Sequence, residues 1–173
     1  MNLAKINGGS PDLLEVRDDN MTDLKEWFDT FILANINTTK VCYNTKGCWT
    51  KNGIKMMNKG NHAYNNKGIG WGHTVISAVL NDGTFICVDP LANGNIWYYY
   101  RVKVNNPSGA GLVMAFDING AKPPNILGKD VFISIFTEDG YVPAYKDASK
   151  TERETDCSAS GQGFSCLLNY LGR

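Results

Sequence analysis

Residues able to bind a metal ion are concentrated in one stretch, FDINGAKPPNILGKDVF, which begins at Phe116. Asp117, Asn119 and Asp130 supply carboxylate and amide oxygens, the ligand type that calcium prefers. The spacing D-x-N-G begins like an EF-hand, but the glycine comes too early and the closing glutamate is absent. The three residues are therefore candidate ligands of a looser calcium loop, in which backbone carbonyls and water complete the coordination.

The same composition also suits a loop with a purely structural role. Asp and Asn side chains hydrogen-bond the backbone of their own loop, Gly120 and Gly128 allow positive φ, and the prolines stiffen the chain. The apolar runs GLVMAF and VFISIF flank the loop and are typical of strands. Both interpretations stay open on the sequence alone.

A second set of residues has the types that a cysteine enzyme requires. Cys48, His73 and Asp89 could serve as nucleophile, base and orienting carboxylate. The stretch GWGHTVISAVLNDGTFICVDP resembles the His-strand, turn, Asp-Pro-strand pattern of transglutaminase-like and papain-like cysteine enzymes. The sequence after Cys48 is a poor helix, however, and His73 follows too soon for those folds. We predict no catalytic residues and keep the cysteine enzyme as the alternative.

Five cysteines form two close pairs and one single residue. Cys42 and Cys48 enclose CYNTKGC, and Cys157 and Cys166 enclose CSASGQGFSC, both small, polar and glycine-containing. This context favours two local disulfides and hence an oxidising compartment. Cys87, within TFICVD, is expected to be a buried free thiol. Five reduced thiols in a cytosolic protein are the alternative, and a zinc site fits less well because no CxxC or HxxxH spacing occurs.

Length and charge limit the classes of protein that need to be considered. The chain has 173 residues, which suits one globular domain over residues 21–173 after an N-terminal segment or linker, residues 1–20. Lys plus Arg and Asp plus Glu number 17 each, so we predict no nucleic-acid partner. No stretch approaches the ~20 apolar residues of a membrane helix, and Met1–Asn20 has no secretory-signal pattern.

One helix is predicted near the start of the domain, over residues 23–36. Asp23 and Glu26 resemble a capping box. Apolar residues then recur with the spacing of one helical face, at Leu24, Trp27, Phe28, Phe31 and Ile32. This face is expected to pack against the core.

Strands joined by turns dominate the rest of the chain, after a loop-rich region over residues 42–72. VISAVL, the turn NDG and TFICVD predict a hairpin, and Asn95–Val104 alternates like a half-buried strand. GLVMAFDI, KDVFISIF and the edge-type YVPAY follow. Short links make neighbouring strands antiparallel, so we predict an α+β fold with the helix packed on a four- to five-stranded antiparallel sheet.

The loop also resembles the signature D-[VI]-N-G-x-x-x-P-N-x-x-G-x-D-x-F of bacterial pilin-like proteins, the prepilin-type subunits related to type IV pili and type II secretion pseudopilins. The residues at these places are Asp117, Ile118, Asn119, Gly120, Pro124, Asn125, Gly128, Asp130 and Phe132. TVISAVLNDGTFI is similar to the family's strand-DG-strand segment. The two cysteine pairs are similar to its early and terminal pairs, so the resemblance covers roughly residue 27 to the C-terminus.

The resemblance implies a helix whose second half packs on an antiparallel sheet, and whose first half is a membrane anchor preceded by a cleaved leader. Met1–Asn20 does not match the anchor or leader, so we expect a truncated, soluble domain. The implied role is structural: contact with other pilin or pseudopilin subunits in filament assembly, secretion or surface contact, in the cell envelope. The full-length form would be membrane-anchored through the missing helix.

Overall fold

The computed structural model describes residues 15–137 and 140–172, and within them the chain has an α+β fold. Its strands are β1 (Thr38–Tyr43), β2 (Asn65–Asn66), β3 (Gly70–Trp71), β4 (Ile76–Leu80), β5 (Phe85–Ala92), β6 (Ala110–Asp117), β7 (Val131–Thr137) and β8 (Gly140–Pro143). Six of them form one antiparallel sheet in the order β1-β4-β5-β6-β7-β8, and β2 pairs separately with β3.

Short helices complete the described part of the chain. They are α1 (Met21–Trp27), which continues as a π-helical segment (Phe28–Leu33), α2 (Asn93–Tyr100), α3 (Lys150–Asp156) and α4 (Cys166–Tyr170). Over residues 15–137 and 140–172, we find no helix with the length and apolar character needed to cross a membrane.

The predicted first helix is present, but the predicted capping box is wrong. The cap is Asn20, whose side chain accepts the backbone N–H of Asp23 at 3.0 Å. Asp23 lies inside the first turn, and its carboxylate accepts from the Arg17 guanidinium at 2.7 Å. Asn caps a helix as well as Asp does. The helix therefore begins at Met21, about one turn earlier than predicted.

This helix covers one face of the sheet, as the apolar spacing predicted. Leu24, Phe28 and Ile32 are fully buried in a core cluster with side chains from β4, β5, β6 and β7. The Trp27 ring meets the Phe136 ring edge-on, with centroids 5.7 Å apart. The helix is short, ending at Leu33, and is not the long helix that the pilin resemblance implies.

The opposite face of the sheet is also buried, under the loop-rich segment, α2 and the C-terminal segment. The large side chains of this second core cluster include Trp49, Ile54, Trp71, Tyr100 and Phe164. The loop-rich prediction for residues 42–72 is confirmed: apart from the last two residues of β1, the region contains the short strands β2 and β3 and an isolated bridge at Lys55. These irregular segments therefore act as a third layer.

The sheet is larger than the predicted four to five strands, because β1 was not predicted. Its sequence, TTKVCY, pairs antiparallel with β4, from Thr38 opposite Leu80 to Tyr43 opposite Ile76. The hairpin β4–β5 and the strands β6 and β7 are confirmed, and Pro143 lies in the edge strand β8 as expected. The segment contains the strand-favouring residues Thr, Val and Tyr, but its pairing partner β4 lies more than 30 residues further along the chain.

The strand predicted over Asn95–Val104 is wrong, because residues 93–100 form α2. Ile96 and Tyr100, which are four positions apart, are buried on one helical face, whereas Trp97 and Tyr98 are exposed. The apolar residues of NIWYYYRV fit both the two-residue period of a strand and the 3.6-residue period of a helix. Tertiary packing selects the helix. Arg101 ends it in the left-handed conformation.

Part of the predicted N-terminal segment packs on the domain. Val16 is buried, its carbonyl accepts from the Ser108 hydroxyl at 3.1 Å, and the Asp18 carboxylate accepts from Ala92 N–H at 3.0 Å. Residues 1–14 lie outside the described residues. Val16 therefore joins the core of the domain, and Asp18 holds the segment against the end of β5.

Replacement of Phe28 with Ala should lower the free energy of unfolding by about 3–5 kcal/mol, because Phe28 is fully buried between helix and sheet. Chemical denaturation followed by circular dichroism measures this loss. Thr30→Ala, on the exposed side of the same segment, should change it by less than ~0.5 kcal/mol. An equal loss in both variants would contradict the described packing.

Candidate functional site

The loop between β6 and β7 is the candidate site, and the sheet register holds both of its ends. Asp117 at the end of β6 pairs with Val131 at the start of β7, and Ile118 N–H donates to the Asp130 carbonyl at 2.9 Å. Between these ends the chain contains a cis peptide bond before Pro124. Gly120, Asn125 and Gly128 have positive φ. The loop thus connects the adjacent ends of two inner strands of the sheet.

The Asp130 carboxylate organises the backbone of this loop. It accepts hydrogen bonds from Asn119 Nδ2 at 2.9 Å, from Asn125 N–H at 2.8 Å and from Ile126 N–H at 2.6 Å. Both carboxylate oxygens are engaged in these bonds. Asp130, predicted as a metal ligand, therefore forms the structural contacts that were the alternative interpretation of the loop.

Asp117 has a different environment, because it is buried and one of its two carboxylate oxygens lacks a hydrogen-bond partner in the described structure. Its side chain is 0% exposed, and Oδ1 has no hydrogen-bond partner among the described residues. Burial, followed by the nearby Asp130 charge, raises the pKa of Asp117 to about 7, with the backbone N–H groups of Asn119 and Gly120 opposing the rise. Asn119 Oδ1 is likewise buried and unpaired in the described structure.

The amide of Asn125 lies among oxygen atoms. With its NH2 group facing them, the amide donates to Asp117 Oδ2 at 3.0 Å and to the carbonyls of Lys122 at 2.9 Å and Gly120 at 3.1 Å. The other end of the amide contacts Thr50 Oγ1 at 3.3 Å, where either an amide nitrogen or an amide oxygen can pair with the hydroxyl. Sequence reasoning did not identify these contacts of Asn125 with Asp117, Gly120 and Lys122.

The loop is tied to the segment that follows the first disulfide. Lys55 N–H donates to the Asn125 carbonyl at 3.0 Å, and Leu127 N–H donates to the Lys55 carbonyl at 2.8 Å. These bonds make Lys55 and Ile126 an isolated parallel bridge. The loop between β6 and β7 is therefore hydrogen-bonded to the irregular segment that covers one face of the sheet.

Gly128 brings the loop against the second disulfide. A Cβ added there would lie 2.8 Å from both Cys166 Sγ and the Gly163 carbonyl, and the residue has φ +84°. Both constraints admit only glycine without displacement of the neighbours. The loop therefore contacts the segment that follows the Cys42–Cys48 disulfide and the segment that contains the Cys157–Cys166 disulfide.

Both predicted disulfides, Cys42–Cys48 and Cys157–Cys166, are formed in the structure. Cys87 is a buried free thiol as predicted, and burial raises its pKa to about 12. Disulfides of this kind suggest an extracellular or periplasmic environment, because cytosolic thiols are kept reduced.

The residues of the cysteine-enzyme alternative do not form a triad. Cys48 is bonded to Cys42, so no thiolate is available there. Asp89 is buried, and its Oδ1 accepts from the backbone N–H groups of His73 at 2.8 Å and Thr74 at 2.9 Å. Asp89 thus holds the turn before β4, and nothing in this arrangement supports catalysis.

No group of three or more His, Cys, Asp and Glu side chains is placed to hold a metal ion in residues 15–137 and 140–172. A cation site in this part of the chain would therefore depend on amide and main-chain oxygens as well as carboxylates. The loop between β6 and β7 offers that mixture.

The chain has no significant match among protein-family models, curated proteins or solved structures. The resemblance to pilin-like subunits consequently stays a prediction.

Thiol counting checks the cysteine assignment. Denatured without reductant, the protein should react with one equivalent of a thiol reagent, because Cys87 is the free cysteine, and the native protein should react slowly. Mass spectrometry after alkylation gives the count. Rapid alkylation of native Cys48 by iodoacetamide at neutral pH would contradict the disulfide and favour the cysteine enzyme.

Asp89 should make the protein less stable as the pH rises. Burial, with smaller contributions from Asp19 and Asp18, raises the pKa of Asp89 to about 8, although the His73 and Thr74 N–H groups oppose it. The unfolded carboxyl titrates near ~4. The folded state therefore retains a proton that the unfolded chain has lost, and stability present below pH ~4 is lost as the pH rises towards 8.

Asp89→Asn should reduce this pH dependence between pH 4 and 8, by up to ~1.4 kcal/mol per pH unit. The variant keeps an oxygen to accept the two backbone N–H bonds and removes the titrating group. Urea denaturation at several pH values measures the slope. Asp147→Asn, which changes an exposed carboxylate, is the control and should keep the wild-type slope; identical slopes in all three proteins would contradict the assignment.

Proposed function

We propose that this chain is the globular domain of a pilin-like or type II secretion pseudopilin-like subunit with a structural role in the cell envelope. Its work would be filament assembly, secretion or surface contact with sister subunits, without turnover of a substrate. The observation that carries the proposal is the packing of Leu24, Phe28 and Ile32 against an antiparallel sheet. In pilin-like subunits a helix is expected to cover such a sheet in this way.

The two disulfides support a location outside the cytosol. Each closes a short loop and is worth roughly 2–4 kcal/mol, which suits a domain that must persist at a surface. Lys plus Arg equals Asp plus Glu, at 17 each, so contact with sister subunits would depend on shape and local patches more than on net charge. Anchoring would come from an apolar helix joined ahead of α1 in the full-length form.

Detection of direct contact between sister subunits tests the proposed function. A photoreactive amino acid placed at exposed Glu26 on α1, in cells that produce the full-length protein, should cross-link to envelope subunits after irradiation. The protein should also appear in the fraction released by mechanical shearing, with both disulfides intact. Immunoblotting measures both results.

The matched control carries the same photoreactive amino acid at exposed Glu154 on α3. This position reports contacts made near the C-terminal end of the chain. Cross-links from position 26 that exceed those from position 154 would support assembly through the helix. Recovery of the protein in the cytosol with reduced thiols would contradict the proposed function.

A further inference from the structure

We propose that a lysine-rich surface of this protein binds an anionic polysaccharide, a polymer whose sugars carry carboxylate groups. This surface, the lysine face, is defined by eight exposed side chains: Lys40, Lys46, Lys51, Lys55, Lys59, Lys67, Lys122 and Lys129. The proposal uses the compartment that the disulfides suggest, and it does not depend on a role in filament assembly.

Acidic residues are absent from the stretch of sequence that supplies most of the lysine face. Between Asp29 and Asp82 the chain contains six lysines and no Asp or Glu. Residues 15–29, in contrast, contain six acidic residues and two basic ones. The equal totals of 17 basic and 17 acidic residues therefore conceal a local excess of positive charge.

Backbone hydrogen bonds bring several of these lysines onto adjoining segments. The Gly68 N–H donates to the Thr50 carbonyl at 2.9 Å, and the Gly68 carbonyl accepts the Gly47 N–H at 3.0 Å. The residues next to these three positions in the chain are Lys46, Lys51 and Lys67. Three lysines from separate parts of the sequence therefore belong to one patch.

The loop between β6 and β7 extends the patch. Lys55 is hydrogen-bonded to this loop through its N–H, which donates to Asn125, and through its carbonyl, which accepts from Leu127. Lys122 and Lys129 lie in the same loop. The lysine face therefore spans the irregular layer and the loop attached to it.

The protein does not neutralise this positive charge with its own carboxylates. Across residues 15–137 and 140–172, none of the eight lysines forms an ion pair. Lys40 Nζ donates to the Gly47 carbonyl at 3.3 Å, and Lys55 Nζ donates to the Asn61 amide at 2.8 Å, so both partners are neutral. An anionic partner would therefore meet charges that are available for pairing.

Solubility is the competing explanation, because exposed lysines on loops commonly serve that purpose. A soluble surface usually has charges of both signs interspersed, and a large field of one sign is typical of a surface that attracts a charged partner. The lysine face has one sign over segments that contact one another. This distribution favours binding over simple solvation.

The lysine face has few apolar side chains with which to enter a membrane or to stack on nucleic-acid bases. Large exposed apolar side chains in the described residues are Trp97, Tyr98, Ile118, Tyr141, Tyr170 and Leu171. Among them, Ile118 alone lies in a segment that also carries lysines of this face. Membrane docking needs inserted apolar residues, and binding of single strands needs aromatic platforms, so neither partner fits well.

The polar groups of the face suit a sugar polymer with spaced charges. All eight cations are lysines, which act as mobile point charges, whereas the planar fork of arginine suits individual phosphates. Exposed amides lie among them at Asn44, Asn52 and Asn61, and an amide can both donate to and accept from sugar hydroxyls. The disulfides suggest a compartment outside the cytosol, which favours a surface polysaccharide over a nucleic acid.

The test compares two polymers with the full chain. Polygalacturonate carries one carboxylate per sugar, and dextran is neutral. Isothermal titration calorimetry at ~50 mM NaCl should detect binding of polygalacturonate and none of dextran, and ~500 mM NaCl should weaken that binding at least ~10-fold, because salt screens exposed charges. No binding of polygalacturonate, or equal binding of both polymers, would overturn the proposal.

Two triple variants locate the binding surface. The first neutralises the patch around Gly68 and combines Lys46→Gln, Lys51→Gln and Lys67→Gln. It should weaken binding of polygalacturonate about 10-fold, because each exposed ionic contact contributes a few-fold. Circular dichroism should show an unchanged Tm, since these side chains are exposed.

The matched control removes the same charge from exposed positions outside the lysine face, through Lys103→Gln, Lys146→Gln and Lys150→Gln. It should change the affinity less than ~2-fold, because distant surface charges are largely screened. Equal losses in the two triple variants would show that net charge alone attracts the polymer, and would overturn the proposed face.

The same calorimetry distinguishes other occupants. Duplex DNA and phosphatidylglycerol vesicles, at the same concentration of negative charges, should bind less tightly than polygalacturonate. Tighter binding of either would overturn the assignment to a polysaccharide. Self-association of the protein that the first triple variant abolishes would assign the lysine face to sister subunits, and would overturn the proposal while supporting the proposed function.

Discussion

The structure depends on the burial of both faces of its central strands. Residues Ile86–Leu91 of β5 and Ala110–Ala115 of β6 are buried without interruption. An antiparallel sheet commonly leaves one face to solvent, so two covers are needed here where one would be usual. The helix over Leu24–Ile32 supplies one cover. Irregular chain around Trp49, Trp71 and Phe164 supplies the other.

A cover made of irregular chain needs attachments that a helix does not need, because it has few repeating hydrogen bonds of its own. The disulfides Cys42–Cys48 and Cys157–Cys166 supply two of them. The loop between β6 and β7 lies between these attachments, bonded to Lys55 on one side and packed against Cys166 on the other.

The sequence predicted the class of fold and the loop, but only part of the candidate site. The apolar spacing located α1, the NDG turn located the β4–β5 hairpin, and cysteine spacing located both disulfides. Residue types identified Asp117, Asn119 and Asp130 as ligand candidates. They could not separate Asp117 from Asp130, because which carboxylate receives backbone N–H bonds depends on how the loop folds.

Local sequence therefore determined what each segment could form, through periodicity, turn chemistry and the spacing of cysteines. Tertiary structure decided between the alternatives that those local rules left equal. The run NIWYYYRV satisfies both a strand and a helix, and the burial of Ile96 with Tyr100 selected the helix. TTKVCY became β1 only because β4 offered an unpaired edge. The physical reason is the same in each case: burial and pairing energies depend on a partner distant in the chain, and a local pattern does not contain that partner.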